Sequence, residues 1–222
     1  MYGNPIYNMV SPIQHKCLPT IEVLGEGTVA AAPERALVVL GAVTEGSVLQ
    51  SVQSENAETV TNIINSLLQI NIPREHIQTN DFRIEILYDY IDGKQIFKGY
   101  QVTHLLQVTI DRVDQTGIVV DTAVSHGANT VSSIRFSILQ RERYENQALA
   151  LAIRNAQQKA VTIANTLGVS IFAVPSKVQE LPRTVEPIPF KASFLADTAV
   201  TPIEPGELTV YAAVQVTYLI IQ

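Results

Sequence analysis

Apolar residues along this chain recur with two periods, and the alternation between them predicts an interleaved series of strands and helices. Ile21 to Val29 reads as a strand, with Ile21, Val23 and Val29 set among small residues. Gly25 and Gly27 flank Glu26, a pattern that marks a bulge or a close approach of another backbone. Ala32-Pro33-Glu34 reads as a turn. Within Ala36 to Thr44, Leu37, Val38, Val39 and Leu40 run together, as in a strand covered on both faces. These two strands are expected to form a hairpin.

Ser47 and Gln50 have the spacing of a capping box. The helix expected after them carries Ala57, Val60, Ile63, Ile64, Leu67 and Leu68 as its apolar stripe, and Asn71 and Pro73 end it. After a linker from Arg74 to Thr79, a strand is predicted from about Phe82 to Ile91. Asp92-Gly93 between two β-rich runs is a tight-turn signal, and the return strand covers Gln95 to Ile110. Asp114 is expected to cap a short helix that reaches Ser125 and stops at Gly127. Asn129 to Gln140 reads as a strand. A long helix follows from about Glu142 to Leu167, closed by Gly168. Val169 to Gln179 and Glu207 to Ile221 are the last strands, and the final one alternates well from Leu208 to Ile220.

Inside the long helix, Ala148, Ala152, Ala156, Ala160 and Ala164 recur every four residues. Four residues turn a helix by about 400°, so the set drifts by ~40° per step and spirals around the axis. Alanine is the best helix former. The regular period further implies close packing on a twisted sheet, whose twist a covering helix must follow. The fold class expected is α+β: mixed or antiparallel sheets built from βαβ-like pieces, with helices packed on them. Residues 1–20 read as an irregular leader and 21–222 as one domain. Residues 181–206 form a long insertion before the last strand, with five of the eleven prolines. Structureless loops of that length are uncommon and are often functional or disordered. Its Pro187, Pro189, Phe190, Phe194 and Leu195 are the candidate contact residues for an arm that docks on a partner; the alternative to a docking arm is a floppy surface loop.

Composition sharpens the function classes. Hydrophobic residues make up 46% of the chain and charged residues 16%. That much apolar material fills a core, or extends to surface covered by another copy. The net charge is −6, with 15 basic against 21 acidic residues. Nucleic-acid binding draws on phosphate neutralisation by Lys and Arg, so that partner is disfavoured. An anionic membrane surface is disfavoured on the same ground. The single cysteine, Cys17, excludes an intrachain disulfide and reads as an incidental thiol. Residues 1–20 show no basic start followed by a continuous apolar stretch. No segment reaches the ~20 apolar residues of a spanning helix. A cytoplasmic address is the expectation from these patterns.

Candidate chemistry is sparse. Gly25-Glu26-Gly27 lacks the third glycine and the following helix of a dinucleotide fingerprint. His15, His76, His104 and His126 show no i, i+4 metal spacing. Asp89 with Asp92 reads as a solvated hairpin tip rather than a metal site, because Asp is a routine turn former. Arg141 and Arg143 read as surface charge. No catalytic residue and no cofactor are assigned.

The order of several short motifs is similar to that of the SIMPL-domain family. They are Ile21-Glu-Val-Leu-Gly-Glu-Gly-Thr-Val29 with Ala-Pro-Glu at 32–34, where Glu34 stands for the usual Asp; Asn71-Ile-Pro73; Ile77-Gln-Thr79; and Gly99-Tyr-Gln-Val102. His126-Gly-Ala-Asn129, the alanine series with Lys159-Ala160, Leu167-Gly168 and Ile203-Glu-Pro-Gly206 complete the set. The resemblance covers roughly residues 21 to 221. It implies an α+β fold, assembly into ring-like homo-oligomers and a link to envelope or stress responses, and it does not imply an enzyme. The function expected is therefore a non-enzymatic scaffold that associates with itself. The alternative is a binding module that holds a small molecule or protein in a groove near the Pro/Phe-rich arm.

Overall fold

The computed structural model describes residues 18–182 and 201–221. The elements run β1 (Thr20–Ala31), β2 (Arg35–Gly46), α1 (Leu49–Gln69), β3 (Ile77–Ile91), β4 (Lys94–Ile110), α2 (Thr116–Ser125), β5 (Thr130–Ser137), α3 (Arg141–Leu167), β6 (Ser170–Ile171), β7 (Lys177–Glu180) and β8 (Leu208–Ile221). Single 3-10 turns at Arg74–His76 and Val113–Gln115 precede β3 and α2. The fold is α+β, and the pairs β2–β4, β2–β5, β3–β4, β6–β8 and β7–β8 are antiparallel. The described residues divide into two compact units, one of 18–28, 147–182 and 211–221, the other of 29–146 and 201–210.

In the first unit β8 is the central strand, paired with β1 and β6, and also with β7. Burial alternates along β1, where Ile21 and Val23 point inward with Gly25 and Gly27. The buried residues of α3 are the five alanines at 148, 152, 156, 160 and 164. Gly25 and Gly27 explain why nothing larger fits. A Cβ on Gly25 would stand 2.1 Å from the Ala152 carbonyl oxygen, and one on Gly27 2.1 Å from the Ala148 carbonyl oxygen. The helix backbone therefore rests on the strand backbone, and the spiral of small residues keeps it there along its length.

In the second unit the strand order is β3-β4-β2-β5. Residues opposite each other in antiparallel strands share a face. Val38 pairs with Val108 and Leu40 with Leu106, so these four lie on one side of the sheet. The helices α1 and α2 cover that side through Val60, Ile63, Leu67, Val119 and Ala123, and all nine residues are buried. Asn71 takes a positive φ of 66° to turn the chain out of α1. Asn71 N–H and Ile72 N–H then donate to the Leu68 and Leu67 carbonyls.

Five expectations change. First, β1 and β2 are not a hairpin: β1 pairs with β8, and β2 has both edges taken by β4 and β5. Second, Ser47 and Gln50 form no capping box, because α1 starts at Leu49 after an extended Val48 that makes no side-chain cap bond. Third, Asp114 does not cap α2; its carboxylate takes the Arg112 guanidinium at 2.8 Å instead. Fourth, Val169 to Gln179 is two short strands, since the stretch between Ile171 and Lys177, with Pro175, is irregular and holds to β8 through the Phe172 and Ser176 N–H groups. Fifth, the inward stripe of α1 lies at Val52, Asn56, Val60, Ile63 and Leu67, leaving Ala57 and Leu68 exposed.

Candidate interaction surface

The longest paired strands, β3 and β4, make a hairpin that outruns its sheet. Asp92 (φ 50°) and Gly93 (φ 74°) close it, with Ile91 opposite Lys94, as a two-residue turn with two positive φ angles should. The β2 ladder stops where Gly46 meets Tyr100. Beyond that rung, β3 and β4 continue as a two-stranded ribbon out to the turn. A two-stranded ribbon without a covered apolar face is marginal in water.

From the edge of the sheet into this ribbon, the core-side face of the hairpin is apolar. Phe82, Ile84, Ile86, Tyr88 and Tyr90 alternate along β3, and Phe97 lies opposite Tyr88 on β4. Ile84 faces Val102, which is fully buried, yet Ile84 itself is 41% exposed and Tyr90 74%. The helices that cover Leu106 and Val108 leave this end open. Phe97 and Tyr100 meet edge to face at 5.3 Å, and Phe82 meets His104 in the same way at 5.2 Å. Burial pushes the His104 imidazole pKa down, and its Nε2 lies 3.3 Å from the Thr79 hydroxyl. The opposite face carries alternating charge: Arg83 lies 3.2 Å from Glu85 and 3.6 Å from Asp81.

Of the outer strands, β1 and β3 treat their edges differently. On β1 the Lys159 ammonium donates to the Leu24 carbonyl at 2.8 Å, and the Glu26 N–H donates to Asn155 Oδ1 at 3.2 Å. Two side chains one helical turn apart thus occupy backbone groups that a foreign strand would use. Among the described residues, no side-chain hydrogen bond reaches the backbone of β3.

Other motif residues have structural work. Glu34 Oε2 accepts the Leu139 N–H at 2.8 Å, and the Glu34 N–H donates to the Ser137 carbonyl, holding the end of β5 to the start of β2. The Asn129 amide acts as one more rung: it accepts from Val43 N–H at 2.8 Å and donates to the Val43 carbonyl at 2.7 Å. Asp121 accepts from both the N–H and the hydroxyl of Thr201, which lowers its pKa. The bond from Tyr211 to Glu26 raises the phenol's pKa, and burial raises that of Tyr218.

Three grooves of ≈ 490, 590 and 690 Å³ lie elsewhere, and no histidine lines them. No group of three His, Cys, Asp or Glu stands in metal-binding reach among the described residues. Asp89 pairs with Lys98 at 3.6 Å and Arg141 with Glu145 at 2.8 Å. The arm residues Pro187, Pro189, Phe190, Phe194 and Leu195 lie outside the described residues. The exposed ribbon face escaped the sequence reading, although the alternation from Phe82 to Tyr90 was there to find it.

Residues 21–218 match the model of SIMPL, described as a protein family of unknown function (DUF541). The chain belongs to the SIMPL family. The "Uncharacterized protein YggE" of Escherichia coli (strain K12) is 29% identical over 198 residues, covering 89% of this chain and 79% of that protein. The "26 kDa periplasmic immunogenic protein" of Brucella melitensis is 28% identical over 210 residues, covering 89% of this chain and 83% of its own. The YggE of Edwardsiella ictaluri is 26% identical over 159 residues. The cytoplasmic expectation is corrected by these SIMPL relatives, because the Brucella proteins are named as periplasmic and point to export. That expectation rested on the absence of an apolar run in the leader, and an absence carries no information about the compartment. No helix among the described residues is long and apolar enough to cross a membrane.

Proposed function

We propose that this SIMPL protein is an exported, non-enzymatic scaffold that acts as a homo-oligomer in an envelope setting. One observation carries the reading: the hairpin of β3 and β4 leaves Ile84, Ile86, Tyr88, Tyr90 and Phe97 uncovered on one face. Contiguous exposed apolar patches mark interaction sites. The low charged fraction of 16% fits a surface partly covered by sister copies. The periplasmic naming of the Brucella relatives supports the setting. Pro187, Pro189, Phe190, Phe194 and Leu195 are proposed as further contacts between copies. Light scattering of the purified chain should give a mass several times 24.3 kDa. A monomer at micromolar concentration refutes the scaffold. Deleting residues 184–199 should weaken assembly more than it lowers the unfolding midpoint.

A second reading, a binding module, draws on the ≈ 590 Å³ groove formed by Pro33, Val113, Ile118 and the returning segment Thr201 to Gly206. Its apolar walls suit a small apolar ligand. A thermal-shift screen in which Ile118→Asp abolishes a ligand-induced rise supports it; a screen with no rise sets it aside.

A further inference from the structure

Resting on that scaffold reading, we propose that β3 pairs edge to edge with β3 of a second copy, antiparallel, in the register that sets Ile84 opposite Ile84. β3 is an outer strand of its sheet, and among the described residues its free edge carries none of the side-chain plugs that Lys159 and Asn155 supply to β1. An exposed strand edge is a template for another strand.

Charge complementarity selects the register. In an antiparallel pair related by a twofold axis at Ile84, residue 84 − n of one copy faces 84 + n of the other. Arg83 of each copy then faces Glu85 of the other, on both sides of the axis. On the opposite face, Phe82 meets Ile86 twice around the Ile84 pair. A register centred on Glu85 sets Glu85 against Glu85 and Asp81 against Asp89. One centred on Arg83 sets Arg83 against Arg83 and Asp81 against Glu85. Both are penalised, because like charges directly opposite destabilise a sheet. Ile84 is also the midpoint of β3, Ile77–Ile91, and of its regular run from Asp81 to Leu87, which lies between two irregularities of the β3–β4 ladder. Joining two such sheets gives each two-stranded ribbon a third and fourth strand, the condition a bare ribbon lacks. The contact is isologous, the commonest symmetry of soluble oligomers.

The test uses charge reversal in the full chain. Arg83 and Glu85 are more than half exposed, so reversing either leaves the subunit folded, checked by circular dichroism. Arg83→Glu alone and Glu85→Arg alone should each weaken association on the order of tenfold, since each sets like charges opposite at two places. An equimolar mixture of the two variants should regain wild-type association, because every facing pair across the axis is then of opposite sign. Rescue in the mixture cannot come from contacts within one chain, as neither variant holds an opposite pair at 83 and 85. A wild-type oligomer that both reversals leave intact, or a mixture no tighter than its components, overturns the strand pairing and leaves the scaffold standing. A wild-type monomer overturns both. So does a monomer whose ribbon amides resist hydrogen exchange, for then another segment of the same chain covers the face.

Discussion

Gly25 of β1 lies directly beneath Ala152 of α3: a Cβ at Gly25 would stand 2.1 Å from the Ala152 carbonyl oxygen and 2.6 Å from the Ala156 Cβ. Neither obstacle can move without lifting the helix from the strand. Gly25→Ala should therefore cost about 3 kcal/mol, at the upper end for overpacking a tight site. Ala152→Leu should be at least as damaging, while Ala150→Leu on the exposed side should stay within about 0.5 kcal/mol. Urea unfolding of the three variants checks this. A Gly25→Ala protein with the wild-type midpoint would remove the backbone-on-backbone contact from the account.

The buried amide of Asn56 ties α1 to the sheet. Its Nδ2 lies 3.1 Å from the Ala42 carbonyl, 3.2 Å from the Val102 carbonyl and 3.2 Å from the Thr44 hydroxyl, while its Oδ1 has no partner. Every partner of Nδ2 named here can accept a hydrogen bond. Asn56→Asp should cost about 3 kcal/mol or more at neutral pH, since it aims a buried charge at two carbonyl oxygens. Asn56→Leu gives up the hydrogen bonds and leaves no charge, at about 1–3 kcal/mol. Unfolding midpoints ranking Leu below Asp would contradict the donor role.

What the sequence made legible was local. The alanine period announced the close packing of α3, and Asp92-Gly93 announced the turn of the long hairpin. Gly127 and Gly168 marked helix ends and take φ of 106° and 68°. What escaped was the choice of partner between distant segments. Ile21 to Val29 reads equally well beside its neighbour β2 or beside β8, whose Tyr211 and Gln215 reach Glu26 and Glu22. Periodicity is the same in both cases, and only the occupancy of both β2 edges decides. The caps escaped for a related reason. Ser47 and Asp114 had suitable chemistry, but the helices began a residue or two later and Arg112 claimed Asp114. Asn56 stayed hidden because a polar residue on an apolar stripe looks like the edge of the stripe.

His104 gives the fold a dependence on acidity. Burial lowers its pKa from the ordinary value near 6.5. Above that value the imidazole is neutral in both folded and unfolded chains and contributes nothing to the pH slope. As pH falls below it, the unfolded chain takes up the proton first, so stability drops until the folded pKa is passed. Urea midpoints measured from pH 7.5 to 5 should decline, and His104→Phe should flatten part of that slope. An identical slope in the variant would mean that other groups carry it.

The plugged edge of β1 makes the last prediction. Lys159 and Asn155 hold the Leu24 carbonyl and the Glu26 N–H. Lys159→Met keeps the length of the side chain and removes its donor; Asn155→Leu removes the acceptor. Each should cost at most about 1 kcal/mol, the net worth of one ordinary hydrogen bond. The effect on solubility should be larger than the effect on stability, because the double variant exposes backbone groups that an extraneous strand can pair with. Size-exclusion chromatography at rising concentration should show the double variant moving into heterogeneous high-mass material, while wild type keeps one defined assembly. If the double variant elutes as wild type does at every concentration, the two side chains are not guarding the edge, and the contrast between β1 and β3 loses its force.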